Sequence, residues 1–235
     1  MSKTVLITGS ARRIGAVIAK QLHKEGFRIM LHANKSQDAA LALCNSFNKM
    51  RAQSAAVCFA DLLAEKTPEI LITKTIDWSG RLDCLIHNAS LFIADKYVLE
   101  QQMWRSLFTV NVEAPFHLSL KAKPFLSQHQ GSLIYITDIH AHSALDGYSV
   151  YCQTKAALTM QMLSFAKTFA PYIRVNAIAP GSIIWPEGDN KLLQDMKKRI
   201  VQKTLLQKHG NPASIAKAAL FFYPKRLYYW PNIEY

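Results

Sequence analysis

Short apolar runs alternate with longer amphipathic stretches along this chain, and the alternation continues to about residue 180. The apolar runs are rich in Val, Ile, Leu and Ala, which predicts strands that are buried on both faces of a sheet. The stretches between them carry apolar residues at helical spacing. The predicted strands are Val5–Thr8, Arg28–His32, Ala55–Ala60, Cys84–His87, Ser132–Thr137 and Arg174–Ile178. The predicted helices are Arg13–Glu25, Gln37–Met50, Pro68–Trp78, Gln101–Leu126 and Tyr148–Phe169.

Strands that alternate with helices in this way form right-handed βαβ units. The sequence therefore predicts an α/β fold, in which a three-layer, doubly wound parallel sheet of the Rossmann type forms one domain over residues 1–235. Ligands of such sheets bind outside the carboxyl ends of the strands. The residues that directly follow each predicted strand are thus the first candidates for chemistry.

Composition narrows the class of protein further. The chain has 235 residues, of which 50% are hydrophobic and 19% charged, and this favours a packed core over disorder. No apolar run reaches the about 18 residues of a membrane span, and the first run is too short for a signal peptide. The four cysteines form no C-x-x-C pair, so we expect reduced thiols, no metal and a cytoplasmic protein.

The net charge of +12 raises the alternative of a nucleic-acid partner. The basic residues are spread along the chain, however, and no aromatic residues are interleaved with them. We therefore expect no nucleic-acid partner, and a basic surface that attracts an anionic cofactor or substrate.

The first predicted strand is followed by the turn Gly9-Ser10-Ala11-Arg12-Arg13-Ile14-Gly15. Gly9 permits a tight turn, and Gly15 lets the next helix pack closely against the strand. The N-terminus of that helix presents free N–H groups to a phosphate, and Arg12 and Arg13 add positive charge. A glycine-containing turn without a ligand would explain the same residues, so the turn alone leaves both interpretations open.

The residues at the end of the second predicted strand indicate which dinucleotide is bound. Folds specific for NAD place an acid here to bind the ribose 2′-hydroxyl, but no acid occurs between Gly26 and Gln37. Lys35 and Ser36 offer an ammonium and a hydroxyl to a 2′-phosphate instead, so the sequence favours NADPH. Ser36 is also placed to cap the following helix, and the two roles are compatible.

The spacing of Tyr151 and Lys155 puts both side chains on one face of a helix. A nearby ammonium lowers the pKa of a phenol from its usual value near 10, which lets tyrosine exchange protons. Asp138 follows the fifth strand. Its ionised carboxylate cannot donate to a ketone oxygen, but it can accept a hydrogen bond from a phenol or from the N–H groups of a substrate. The alternative is that Thr137 polarises the substrate, although its side chain should point to the opposite face.

These motifs occur in the order found in the short-chain dehydrogenase/reductase family, which the chain resembles from residue 3 to about residue 222. Arg13 in a G-x-x-x-R-x-G turn, Asn88-Ala89-Ser90 before Phe92, and the Asp138, Tyr151 and Lys155 set are similar to the pteridine reductases. Related dihydromonapterin/dihydrofolate reductases use the same three catalytic residue types. The resemblance implies an oxidoreductase that reduces a dihydropteridine or dihydrofolate C=N bond with NADPH, with the pterin stacked on Phe92, and that assembles as a homotetramer.

The resemblance also implies a set of site residues. The catalytic residues are Asp138, Tyr151, Lys155 and Asn111, and Asn111 supports a water-linked proton path. The cofactor-binding residues are Gly9, Arg13, Ile14, Gly15, His32, Lys35, Ser36, Asp61, Leu62, Asn88, Ala89, Ser90, Thr137, Tyr151, Lys155, Pro180, Gly181 and Ser182. The substrate-binding residues are Arg13, Ser90, Phe92, Asp138 and Tyr151. Three of these positions also have purely structural interpretations: a helix N-cap for Asp61, a core residue for Phe92 and a helix-interior polar residue for Asn111.

Two later segments complete the resemblance. The run Trp185-Pro186-Glu187-Gly188 is similar to the start of a substrate lid in bacterial pteridine reductases. Residues Leu192–Leu206 then predict a lysine-rich amphipathic helix, which either covers the pocket or is simply a solvated helix.

The resemblance ends at residues 223–235, which lack the Thr-Gly, apolar strand and Asp-Gly-Gly that close the family. We therefore expect the last strand to be missing. Reverse translation of Leu227–Tyr235, shifted by one nucleotide, permits Tyr-Ile-Thr-Gly-Gln-Ile-Leu-Asn, which matches the family ending. We hypothesise that this tail is a frameshift product, and a gene sequence without a one-base slip would contradict that. Two alternative functions stay open: a reductase of carbonyl compounds, and an impaired nucleotide-binding paralogue.

Overall fold

A computed structural model describes residues 2–97, 100–187 and 193–223. Within this part of the chain, six parallel strands form one sheet in the order β3-β2-β1-β4-β5-β6. The sequence prediction of an α/β doubly wound parallel sheet is confirmed. The strands are β1 (Thr4–Ile7), β2 (Arg28–Ala33), β3 (Ala55–Phe59), β4 (Cys84–His87), β5 (Ser132–Ile136) and β6 (Arg174–Ile178).

Helices connect the strands and cover both faces of the sheet. They are α1 (Arg13–Lys24), α2 (Gln37–Met50), α3 (Thr67–Ser79), α4 (Gln101–Phe108), α5 (Ala114–Gln128), α6 (Ser149–Phe169), α7 (Gln194–Lys203) and α8 (Pro212–Phe222). Two short 3₁₀ turns lie at Asp95–Tyr97 and Ile139–Ala141.

The sheet separates two apolar clusters, because successive side chains of a strand point to opposite faces. Val5 and Ile7 of β1 pack with α1, α2 and α8, whereas Leu6 packs with α3, α5 and α6. This arrangement makes the three layers that the sequence predicts. Since β2 and β4 flank β1, the chain reverses its direction of winding there, and the crevice at this point is where such folds bind ligands.

The predicted helix Gln101–Leu126 is wrong as a single element. Helix α4 ends at Phe108, a π-helical turn spans Thr109–Glu113, and α5 begins at Ala114. Pro115 has no N–H group to donate to the carbonyl of Asn111, so the regular hydrogen-bond ladder is interrupted here. The Gln161 amide, with its nitrogen 3.1 Å from Val112 O and its oxygen 3.0 Å from Phe116 N, satisfies one backbone group of the turn and one of the first turn of α5.

The C-terminal helix α8 begins with a capped turn and packs on α1. The Asn211 side chain accepts a hydrogen bond from Ala213 N at 2.9 Å, and Pro212 occupies the first turn, where its missing N–H costs nothing. Arg174 of β6 donates to the backbone carbonyls of Phe222 and Tyr223. Residues 224–235, which carry nearly all of the proposed frameshifted tail, lie outside the described residues, as do residues 188–192 between the predicted start of the lid and the predicted helix Leu192–Leu206. Within that predicted helix, α7 spans Gln194–Lys203.

Across the described residues, none of the helices is long and apolar enough to cross a membrane. The same part of the chain contains no group of three His, Cys, Asp or Glu side chains that is placed to hold a metal ion. All four cysteines are buried free thiols.

Candidate active site

The turn after β1 is held in a conformation that only glycine fits at two positions. Gly9 has a φ of +62°, and a Cβ atom on Gly15 would lie 2.4 Å from Gly9 O. The Asn88 amide at the end of β4 donates to Thr8 O and to Gly9 O, each at 2.9 Å. Asn88 therefore ties the carboxyl ends of β4 and β1 together at the mouth of the crevice.

His32 supports the same turn from β2. Its Nδ1 accepts a hydrogen bond from Gly9 N at 3.1 Å, so Nε2 carries the proton and donates to Ala60 O at 3.1 Å. Burial lowers the pKa of His32, which keeps the ring neutral and this tautomer in place. The ring lines the crevice and joins the ends of three neighbouring strands.

The crevice has a volume of about 610 Å³ and extends from the glycine turn to the ends of β2, β3 and β4. Its lining contains most of the predicted cofactor residues: Gly9, Arg13, Ile14, Gly15, His32, Lys35, Ser36, Asp61, Leu62, Asn88, Ala89 and Ser90. Arg12, which the sequence analysis proposed as a positive charge near a phosphate, also lines the crevice. Sequence reasoning missed six residues that carry little recognisable chemistry of their own: Ala11, Ala33, Asn34, Leu63, Leu91 and Val110. Thr137, Tyr151, Lys155, Pro180, Gly181 and Ser182 do not belong to this lining.

The outer end of the crevice suits an anionic group. Lys35 is exposed there, and Ser36 precedes α2 without making a side-chain cap, so its hydroxyl is not used by the helix. Asp61 is not the N-cap of α3, because that helix begins at Thr67; its carboxylate instead accepts from Leu63 N at 3.0 Å. With three cationic side chains and one carboxylate in the described lining, the crevice fits a dinucleotide that carries an additional phosphate.

The two arginines of the glycine turn bind a later segment of the chain. Glu187 pairs with Arg12 at 2.6 Å and with Arg13 at 3.0 Å. Arg13 also donates to Ile184 O at 3.4 Å and to Trp185 O at 3.2 Å. These contacts hold the segment that follows β6 against the place where a cofactor's phosphates would bind.

Three predicted catalytic residues meet at the carboxyl end of β5. The Tyr151 hydroxyl donates to Asp138 Oδ2 at 2.6 Å, and Asp138 Oδ1 accepts from His140 N at 2.9 Å. Lys155 is buried, donates to Ile136 O at 3.1 Å, and holds its ammonium 5.6 Å from the centre of the Tyr151 ring. The structure thus brings together the phenol, the carboxylate and the ammonium.

The electrostatics differ from the sequence prediction that Lys155 lowers the pKa of Tyr151. Burial, and then the carboxylate of Asp138, raise the pKa of Tyr151 above its usual value. Burial lowers the pKa of Lys155 to about 8, although Asp138 acts in the opposite direction. A buried phenol that donates to a carboxylate stays neutral, which suits a proton donor rather than a base.

The polar groups of Thr137 and Asn111 are hydrogen-bonded to protein groups other than Asp138, Tyr151 and Lys155. Thr137 is buried and donates to Ile178 O at 3.2 Å. The Asn111 amide donates to Leu91 O and Thr154 Oγ1, each at 3.0 Å, and accepts from Leu91 N at 2.8 Å. Asn111 therefore fixes the loop after β4, a role that the π-helical turn makes possible by presenting this side chain inward.

Phe92 lies against the catalytic tyrosine and a second aromatic ring. Its ring meets Tyr151 edge to face, with centroids 4.8 Å apart, and stacks on Tyr148 with centroids 4.3 Å apart and planes inclined by 5°. Phe92 is partly exposed, which disagrees with its interpretation as a core residue. Sequence reasoning missed Tyr148, because only the fold brings it to the loop after β4.

The loop after β6 lies against the short 3₁₀ turn that follows Asp138. Ile139 N donates to Pro180 O at 3.2 Å, and Gly181 faces the Ile139 side chain. Ser182 O accepts from Gly210 N at 2.9 Å. Pro180 and Gly181 therefore lie beside the residue that follows Asp138, whereas Ser182 is bonded to the loop before α8.

Comparisons with known proteins agree with this geometry. The profile of the short chain dehydrogenase family matches residues 3–196. The 3-oxoacyl-[acyl-carrier-protein] reductase FabG of Staphylococcus epidermidis is 28% identical over 224 residues, which cover 94% of this chain and 91% of that protein. The granaticin polyketide synthase putative ketoacyl reductase 2 of Streptomyces violaceoruber is 29% identical, over 92% of this chain and 87% of the relative.

The similar solved structures are dihydrofolate reductases rather than ketoacyl reductases. FolM Alternative dihydrofolate reductase 1 from Brucella suis, in complex with NADP, superimposes with a TM-score of 0.83 and 32% identity, covering 94% of this chain and 87% of that one. The protein of the same name from Brucella canis, complexed with NADP, gives the same score and identity.

Proposed function

The chain belongs to the short-chain dehydrogenase family, and from that premise we propose that it reduces a C=N bond of a dihydropterin or dihydrofolate with NADPH. The observation that carries the proposal is the 2.6 Å hydrogen bond from Tyr151 to Asp138, beside the ammonium of Lys155. The NADP complexes of the two FolM proteins support both the cofactor and the substrate class.

NADPH would supply the hydride that adds to the carbon of the C=N bond. The nitrogen then needs a proton, and the neutral Tyr151 phenol is placed to give it. The Asp138 carboxylate orients the phenol and can accept from the N–H groups of a pterin, and the Lys155 ammonium stabilises the phenolate that remains. Lys35 and Ser36 would bind the 2′-phosphate, and Arg13 the pyrophosphate.

The residues at the end of β5 fit a pterin substrate better than a ketone substrate. A carbonyl reductase needs a donor at this position to polarise the ketone oxygen, whereas an ionised Asp138 only accepts hydrogen bonds. Thr137, the other candidate donor, is buried and bonded to Ile178 O. A pterin carries N–H and amino groups, which match a carboxylate.

Reduction of a carbonyl compound is the second candidate, because the curated relatives include ketoacyl reductases at 28–29% identity. A catalytically impaired nucleotide-binding paralogue is the third candidate, because residues 223–235 lack the Thr-Gly, apolar strand and Asp-Gly-Gly that close the family.

An NADPH oxidation assay separates these candidates. The purified protein is given dihydrobiopterin, dihydromonapterin, dihydrofolate or a 3-oxoacyl thioester, and NADPH binding is measured in parallel by fluorescence. We expect turnover of at least one pterin and none of the thioester. Turnover of the thioester alone would contradict the proposal, and tight NADPH binding without any turnover would favour the impaired paralogue.

The assembly and location follow from the same family and are proposed with it. A homotetramer is the expected assembly, and an NADPH-dependent reductase with free thiols suits the cytoplasm.

A further inference from the structure

A carboxylate from a distant loop caps the helix that carries Tyr151. Asp95 lies in the loop after β4, 54 positions before Ser149 at the beginning of α6. Its Oδ2 accepts a hydrogen bond from Ser149 N at 2.8 Å, and its Oδ1 accepts from Val150 N at 3.4 Å. Asp95 N in turn donates to Gly147 O at 2.8 Å. One residue of the loop is therefore bonded to three consecutive parts of the helix N-terminus.

Helix α6 has no cap within its own segment. Its N-cap residue Tyr148 makes no side-chain cap hydrogen bond, and its first turn contains no acidic residue. The first N–H groups of a helix lack partners within the helix, and a carboxylate that accepts from them also interacts favourably with the helix dipole. Burial raises the pKa of the Asp95 carboxyl, but its hydrogen bonds to Ser149 and Val150 outweigh this and hold the pKa below its usual value. Asp95 therefore stays ionised at neutral pH and does what a local N-cap residue would do.

The two segments that Asp95 joins carry the aromatic and acidic groups of the candidate active site. Phe92, in the same loop, stacks on Tyr148 with centroids 4.3 Å apart. It also meets Tyr151 edge to face, with centroids 4.8 Å apart. Tyr151 lies in the capped turn of α6 and donates to Asp138 at 2.6 Å. The hydrogen bonds of Asp95 thus fix the turn that carries the phenol relative to the loop that carries the Phe92 ring.

We propose that Asp95 is a positioning residue for the proton donor: by capping α6 from the loop after β4, it sets the place of Tyr151 relative to Asp138 and Phe92. The proposal rests on the proposed function only in taking Tyr151 as the proton donor, whether a C=N or a C=O bond is reduced. Because a small displacement of a reacting group slows a reaction strongly, loss of the cap should lower kcat. Binding of the cofactor should not change, because Asp95 is not part of the crevice lining.

The first experiment compares Asp95→Ala with Asp95→Asn in the full-length protein. Alanine removes the cap, so kcat for the substrate that the NADPH oxidation assay identifies should fall about tenfold or more. Asparagine caps helices about as well as aspartate, so its kcat should stay within about threefold of the unaltered protein. The Kd for NADPH should stay within about twofold in both variants.

The control variant is Asp146→Ala, which removes an exposed carboxylate just before α6 and should leave kcat unchanged. An unchanged kcat in Asp95→Ala, or an equal loss of kcat in both Asp95 variants, would overturn the proposal. A parallel loss of NADPH affinity in Asp95→Ala would also overturn it, because the residue would then support the whole fold and not the position of Tyr151.

The second experiment does not depend on turnover. The protein is labelled with ¹³C at the tyrosine Cζ atoms, and Tyr151→Phe identifies the Tyr151 resonance, which reports the hydrogen bond to Asp138. Hydrogen exchange at the first turn of α6 reports the cap itself. Asp95→Ala should shift this resonance and accelerate exchange in that turn about fivefold or more, whereas Asp95→Asn should do neither.

The two experiments separate the positioning role from the proposed function. If no substrate is reduced but both spectroscopic changes are found in Asp95→Ala, the proposed function fails and the positioning role stands. If pterins are reduced but the Tyr151 resonance does not move in Asp95→Ala, the positioning role fails alone.

Discussion

The Tyr151 hydroxyl donates a 2.6 Å hydrogen bond to the Asp138 carboxylate, and the two residues lie 13 positions apart in the chain. Asp138 lies two residues after the end of β5 and Tyr151 lies in the first turn of α6, so the contact depends on the loop between these elements. The carboxylate is itself fixed by His140 N. Because the carboxylate accepts this hydrogen bond, the phenol stays protonated until a stronger acceptor appears beside it.

The variant Asp138→Ser tests this pair. We expect the rate of pterin reduction to fall by about a hundredfold or more, since a positioned acid–base group typically contributes that much. NADPH affinity should change by less than about twofold, because Asp138 is not part of the crevice lining. Single-turnover NADPH oxidation and fluorescence titration measure the two quantities. The matched control is Asp146→Ser, an exposed carboxylate in the same loop; unchanged turnover in the Asp138 variant would contradict the assignment.

The sequence alone predicted the fold and much of the candidate site, because the residue types and spacings within short segments determine both. Apolar runs set the strands, and parallel strands bring their carboxyl ends to one edge, which is why Gly9, Asp61 and Asn88 line the same crevice. The spacing of Tyr151 and Lys155 survives in α6, because helical geometry fixes it.

Contacts between distant segments could not be predicted in the same way. Glu187 lies about 175 positions from the arginine that it pairs with, and nothing local in the sequence indicates that contact. The stacking of Tyr148 on Phe92 and of Trp185 on His209 also depends on how loops pack. The π-helical turn was missed because Pro115 falls inside an otherwise regular helical pattern.

The buried Lys155 predicts the alkaline limb of the pH profile. Its pKa is lowered to about 8, so the ammonium is present below that pH and is lost above it. If the ammonium stabilises the phenolate of Tyr151, kcat should decline as the pH rises through about 8. Stopped-flow NADPH oxidation between pH 6 and 10 measures the profile. The variant Lys155→Arg keeps its charge over this range. It should be slower but lack the decline, and a decline that persists in it would show that another group is responsible.

Lys35 should determine the preference for NADPH over NADH. Removing one charged contact to the 2′-phosphate at an exposed position should weaken NADPH binding by about tenfold, as expected for a hydrogen bond to a charged group. NADH lacks that phosphate, so its affinity should change by less than about twofold in Lys35→Ala. Fluorescence titration with both cofactors measures this, with Lys20→Ala, an exposed lysine on α1, as the control. Equal losses for NADPH and NADH would show that Lys35 does not contact the phosphate.

The ring of Phe92 should contribute to binding of the substrate rather than of the cofactor. Its ring contacts Tyr151, which places it beside the reacting group, and it also stacks on Tyr148. An aromatic pair contributes about 0.5–1.5 kcal/mol, so Phe92→Leu should raise the KM for dihydropterins by about two- to tenfold. Steady-state kinetics measure it, and NADPH affinity should not change. Phe221→Leu, on the exposed side of α8, is the control, and an unchanged KM in Phe92→Leu would exclude stacking.

Glu187 should compete with the cofactor for the two arginines of the glycine turn. Its carboxylate pairs with Arg12 at 2.6 Å and Arg13 at 3.0 Å, where the pyrophosphate is expected, so removing the charge should strengthen NADPH binding. All three side chains are more than a third exposed, so each pair contributes about 1 kcal/mol at most. Since Glu187→Gln removes both pairs, it should lower the Kd by no more than about thirtyfold. Titrations at low and high salt measure this effect, which added salt should reduce. Glu100→Gln, another exposed carboxylate, is the control. A weaker affinity in Glu187→Gln would mean instead that Glu187 holds its segment in place for the cofactor and does not compete with it.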